Sequence, residues 1–84
     1  MMTYDENTVF QREMQKGKQY IGVKNYDFAL FSFTLAYGIA TDAKDESRKD
    51  AYEYMEFCNS KLDPNYEPKP YEPLDNLVRD DYDL

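Results

Sequence analysis

Three times along this chain, apolar or small residues recur at i, i+4, i+7 and i+11, the spacing of one face of an α-helix. The first stripe is Phe10, Met14, Gly17 and Ile21; the second is Ala29, Phe33, Ala36 and Ala40; the third is Ala51, Met55, Cys58 and Leu62. They predict helices over about residues 8–24, 26–40 and 43–62, preceded by a loose polar stretch over 1–7. Thr3, Asp5 or Thr8 is placed to cap the first helix, Asn25 or Asp27 the second and Thr41 or Asp42 the third, by accepting bonds from the first free amides. The joint Asn25-Tyr26-Asp27 is short enough to force the first two helices antiparallel.

The polar positions separate the three helices. The first carries Arg12, Lys16 and Lys24 opposite its stripe. The third has a solvated side of Glu46, Lys49, Asp50, Glu53 and Glu56, with Lys49/Glu53 at ion-pair spacing. The second is apolar nearly all round, since Phe28, Leu30, Phe31, Leu35, Tyr37 and Ile39 fill the sides its stripe leaves open. Such a helix needs neighbours on more than one face. Gly17 and Gly22 each cost a helix about 1 kcal/mol relative to alanine, so a glycine retained there signals another backbone passing close by.

After Leu62 the pattern stops. Pro64, Pro68, Pro70 and Pro73 fall within ten residues, each removing an amide donor and restricting its predecessor, so extended or polyproline II backbone is expected. The chain thus divides into a helical domain over 1–62 and a Pro-rich acidic tail over 63–84. The expected fold class is all-α: an antiparallel hairpin, a third capping helix and the extended tail. That tail is placed either along the basic side of the first helix or in a partner, as a Pro-anchored acidic peptide.

Composition narrows the function. The net charge is −7, distributed as zero over residues 1–41, −2 over 42–62 and −5 over 63–84. It repels phosphate backbones and anionic lipid, arguing against direct nucleic-acid or membrane binding. No stretch approaches the ~20 apolar residues of a membrane span, and the expected location is the cytoplasm. With 84 residues, one cysteine and no histidine, the chain can form no internal disulfide and lacks the usual zinc ligands. No cofactor is expected. A core this thin is commonly supplemented by a second subunit or a partner. Catalysis finds no support either: the common general base is missing, Cys58 sits on an apolar stripe, and Asp80-Asp81 lies in a terminal tail that holds no fixed geometry.

Gly17, Tyr20, Ala29, Phe33 and Ala36 stand at the relative offsets at which the tetratricopeptide repeat places its Gly, Tyr, Ala, aromatic and Ala, so residues 10–43 resemble one such repeat. The chain departs from that pattern at Glu13, Lys16 and Thr41, where the family has an aromatic, a leucine and a proline, and it shows no second copy. The resemblance implies a peptide-binding concave side formed by the first helix, here by Gln11, Met14, Lys18, Ile21 and Gly22. Lys18 alone would meet a peptide carboxylate there.

These readings converge on a non-catalytic protein–protein interaction module that binds another protein or itself, as a homo-oligomer through the second or third helix. The candidate contact residues are Met14, Lys18, Ile21, Phe31, Leu35, Tyr52, Tyr54 and Phe57, with Tyr71, Asp80, Asp81 and Tyr82 of the tail as a second contact. The alternative is a small acidic inhibitor of the kind phages use, whose carboxylates stand in for phosphates on a nucleic-acid-binding protein.

Overall fold

A computed structural model describes residues 1–71 of the chain. They form three helices, α1 (Tyr4–Gly22), α2 (Tyr26–Asp42) and α3 (Arg48–Leu62), with no strand among the described residues. α2 lies between the other two and packs against both. α1 and α3 pack on α2 and leave a groove between themselves, so the helices form one arched layer. The N-terminal end of α1 meets the C-terminal end of α2, where the Met1 nitrogen lies 2.6 Å from the Ala43 carbonyl oxygen. α1 and α2 are therefore antiparallel, as their short joint requires.

The helix ends differ from the periodicity in instructive ways. α1 starts at Tyr4, four residues earlier than its apolar stripe implies, because Thr3 and Glu6 close a capping box. The Glu6 amide donates to Thr3 Oγ1 at 3.2 Å and the Thr3 amide to Glu6 Oε1 at 2.8 Å, satisfying two end amides reciprocally. Residues 1–7 are accordingly not loose: beyond the cap, Met2 packs on the core. At the other end of α1, Lys24 takes the left-handed conformation (φ 60°) and leaves Asn25 to cap α2 by accepting from the Phe28 amide at 3.4 Å.

α3 begins at Arg48, not Ala43. Lys44 also turns left-handed (φ 53°), and the Asp45 carboxylate accepts from the Ser47 amide at 2.9 Å and the Ser47 hydroxyl at 2.7 Å. This local turn takes up the residues that the charge pattern assigned to a first helical turn, so neither Thr41 nor Asp42 caps α3. Its hydrogen bonds, the Ser47 amide foremost, hold the Asp45 carboxyl below the usual carboxylate range. The end of α3 falls at Leu62, where the prolines place it, and Asp63 Oδ1 then accepts from the Asn65 amide at 2.9 Å.

The core consists of Phe10 and Met14 from α1, Ala29, Phe33, Ala36 and Ala40 from α2, and Ala51 and Cys58 from α3. Alanines dominate α2 because a helix flanked on two sides has room for few large side chains. Phe33 is the exception: it is fully buried and its ring stacks on Tyr54 with centroids 4.6 Å apart. Gly17 makes room for it. A β-carbon there would come within 2.5 Å of the Phe33 ring, whereas one at Gly22 or Gly38 would meet nothing within 4 Å. The close neighbour expected of Gly17 is thus a ring and not a backbone, and Gly22 has none.

Glu13, where the repeat pattern has an aromatic, is 5% exposed. Its Oε2 lies 3.6 Å from both Arg12 Nε and Lys16 Nζ, and its Oε1 finds no hydrogen-bond partner among the described residues. The cations expected on a free basic side are therefore partly spent on this carboxylate. Lys49 and Glu53 form no ion pair among the described residues.

Three expected outcomes follow, each read by chemical denaturation. Gly17→Ala destabilises by about 1–3 kcal/mol, since overpacking against a clamped ring outweighs the helix-propensity gain, while Gly38→Ala stabilises by about 0.5–1 kcal/mol. Glu13→Met is neutral to stabilising by about 1 kcal/mol, because a buried charge lacking a full set of partners gives way to packing.

Candidate functional site

Met14, Lys18 and Ile21 follow one another along α1 on the side facing α3, and Asp50, Glu53, Tyr54 and Phe57 lie on the facing side of α3. Together they line an open groove of about 600 Å³. It exists because α1 and α3 each pack on α2 and leave a gap between themselves. Phe33 supports its floor from α2 by stacking under Tyr54. Lys18 Nζ stands 5.5 Å over the Tyr54 ring, and Lys61 Nζ stands 5.5 Å over Phe57. Five of the residues expected from sequence to make contacts, Met14, Lys18, Ile21, Tyr54 and Phe57, thus share one concavity. Asp50 and Glu53 complete it; sequence reasoning assigned them to a solvated face, and only their spacing of three on the Phe57 side of the helix hinted at a rim.

The opposite side of α2 carries a second surface. Phe28, Phe31 and Leu35 are 58%, 65% and 42% exposed, with Thr34 and Gly38 exposed among them. They fall on the helix face away from Ala29, Phe33, Ala36 and Ala40. A hollow of about 560 Å³ beside them is bordered by Lys16, Tyr20, Asp27, Phe28, Phe31 and Ser32. Tyr20 reaches across from α1 to meet the edge of Phe28 at 5.5 Å, which keeps that ring upright. Phe31 and Leu35 are therefore not part of the groove, and the two surfaces lie on opposite sides of the layer.

Tyr52 and Tyr71 form a third group. Residues 63–71 run back along α3, not along the basic side of α1. Tyr66 Oη donates to Glu56 Oε2, Tyr52 Oη donates to the Lys69 carbonyl at 3.1 Å, and the Tyr71 ring meets Tyr52 edge-on at 5.5 Å. Tyr37 of α2 stands on the other side of Tyr52. This stacking is what carries the proline segment back over the helix it leaves. Burial foremost, and then the Glu56 carboxylate, push the Tyr52 phenol up to about 12. The hydrogen bond to Glu56 is the main cause that raises Tyr66. Asp80, Asp81 and Tyr82 lie outside the described residues.

Cys58 is fully buried, and burial raises its thiol above the ordinary value, away from a nucleophilic thiolate. Among the described residues no three His, Cys, Asp or Glu side chains come together as a metal site, and no helix is long and apolar enough to cross a membrane. Comparison with known proteins adds no relative: no family model, no curated protein and no solved structure matches this chain.

The tyrosine group has a pH signature. A phenol whose pKa is raised on folding favours the folded state fully below the unfolded value of 10.0, and this contribution is lost as pH rises towards about 12. Stability is expected to fall across that window, and Tyr52→Phe should flatten the fall and remove the last phenolate step. Spectrophotometric titration of folded and denatured chain, run beside denaturation curves, measures both.

Proposed function

We propose that this chain is a non-catalytic protein–protein interaction module, a single degenerate tetratricopeptide-like hairpin closed by a third helix, that pairs with a second copy through the outer face of α2. The observation that carries this reading is the exposure of Phe28, Phe31 and Leu35 on a helix already flanked on two sides. A small domain that leaves large apolar side chains side by side has surface whose burial is worth about 25 cal/mol per Å². Exposed Gly38 and Thr34 lower the profile of that face, so a second helix can approach it. Lys16 and Asp27 border the same hollow, so each copy offers both a cation and an anion beside the apolar face to pair across a two-fold axis. The groove on the other side of the layer then stays free for a different protein.

Light scattering tests the pairing directly. The expected mass in solution exceeds the 10.0 kDa of one chain and returns to it in the double variant Phe31→Ser/Leu35→Ser, with helical circular dichroism unchanged. A parent chain that stays monomeric at high concentration, with a double variant that behaves identically, overturns it.

A further inference from the structure

The groove between α1 and α3 has a chemistry of its own. Its α3 rim carries Asp50 and Glu53, both exposed and both without an ion pair among the described residues. Glu46, exposed in the turn before α3, borders a neighbouring hollow with Asp50, where Arg48 and Lys49 balance the two acids. Its walls are the Tyr54 and Phe57 rings, and over each of these the chain has already placed one of its own lysines, Lys18 and Lys61, at 5.5 Å. Met14 and Ile21 of α1 line it with apolar surface. At about 600 Å³ it falls within the range of small binding pockets and has room for one or two side chains.

From this we infer that the groove receives a basic side chain from another protein, an arginine flanked by an apolar residue in an exposed segment. The guanidinium stacks on Tyr54 or Phe57 while Asp50 and Glu53 accept its hydrogen bonds, and the apolar neighbour rests on Met14 and Ile21. Arginine fits better than lysine because its planar fork both stacks on a ring and bonds carboxylates at two points. The flexible lysines now over the rings hold them by contacts worth only about 0.5–1 kcal/mol at exposed sites, so an incoming cation displaces them at little cost. The net charge of −7 also steers a basic partner towards this chain. This inference rests on the interaction-module reading but uses the opposite side of the layer, so the two fail separately.

The test is a titration of the full chain with short synthetic peptides, followed by NMR and by fluorescence anisotropy. The probes carry Arg-Leu, Lys-Leu or Glu-Leu pairs on a common backbone, with an oligolysine lacking apolar residues as the charge control. The expected order of affinity is Arg above Lys, with no binding by Glu. Shifts should be confined to Met14, Ile21, Tyr54 and Phe57, with about a tenfold loss in the double variant Asp50→Asn/Glu53→Gln and weakening in salt. Equal binding of the Glu peptide or the oligolysine, shifts centred on Phe28 and Phe31, or indifference to the double variant each overturns the inference. So does an Arg79→Ala variant of the full chain that binds the Arg peptide at least tenfold tighter, for the groove would then belong to the chain's own Leu77-Val78-Arg79. Light scattering on the same samples reports α2 pairing independently.

Discussion

Phe33 lies at the centre of α2 with Gly17 of α1 against its ring and Tyr54 of α3 stacked on it, so this fully buried side chain ties all three helices together. The surrounding core is mostly alanine, which allows close approach but contributes little apolar area of its own. A thin core of this kind puts its stability into a few contacts of high quality. Here these are the ring stack and the glycine contact that admits it.

The same constraint produces the surfaces. Because Phe33 draws α1 and α3 onto adjoining flanks of α2, the two outer helices do not close on each other, and the gap between them is the groove. Because α2 spends its small residues on that packed side, its large ones, Phe28, Phe31 and Leu35, are left on the other. The arched layer thus has an acidic, aromatic concavity on one side and an apolar ridge on the other. Both arise from how a single helix divides its residues between two neighbours.

The proline segment and the N-terminus play complementary parts at the edges of the layer. Tyr66, Lys69 and Tyr71 tie the chain back over α3 through Glu56 and Tyr52, while Met1 and Met2 close over the turn between α2 and α3. Both segments shield ends that a three-helix layer would otherwise leave open to water. Asp50 and Glu53 line the groove side of α3, and Tyr71 of the returning segment reaches the hollow that Asp50 also borders.

The amino-acid sequence by itself determined the three helices, a close neighbour at Gly17 though not that it is a ring, the antiparallel joint at Asn25 and the end of α3 before the prolines. Each of these is a local consequence of spacing, small size or a missing amide. It also marked Met14, Lys18, Ile21, Tyr54 and Phe57 as candidate contact residues, though without grouping them. Only the tertiary structure decided that these five share one groove with Asp50 and Glu53, that Phe31 and Leu35 face the opposite side, and that Tyr52 and Tyr71 belong to the returning segment. Periodicity gives the face of a helix on which a residue lies, but not which neighbour, if any, covers that face. The burial of Glu13 and the delayed start of α3 were hidden for a related reason: a carboxylate reads as solvated, and Asp45 as a helix-favouring acid, until the packing and turn hydrogen bonds around them are known.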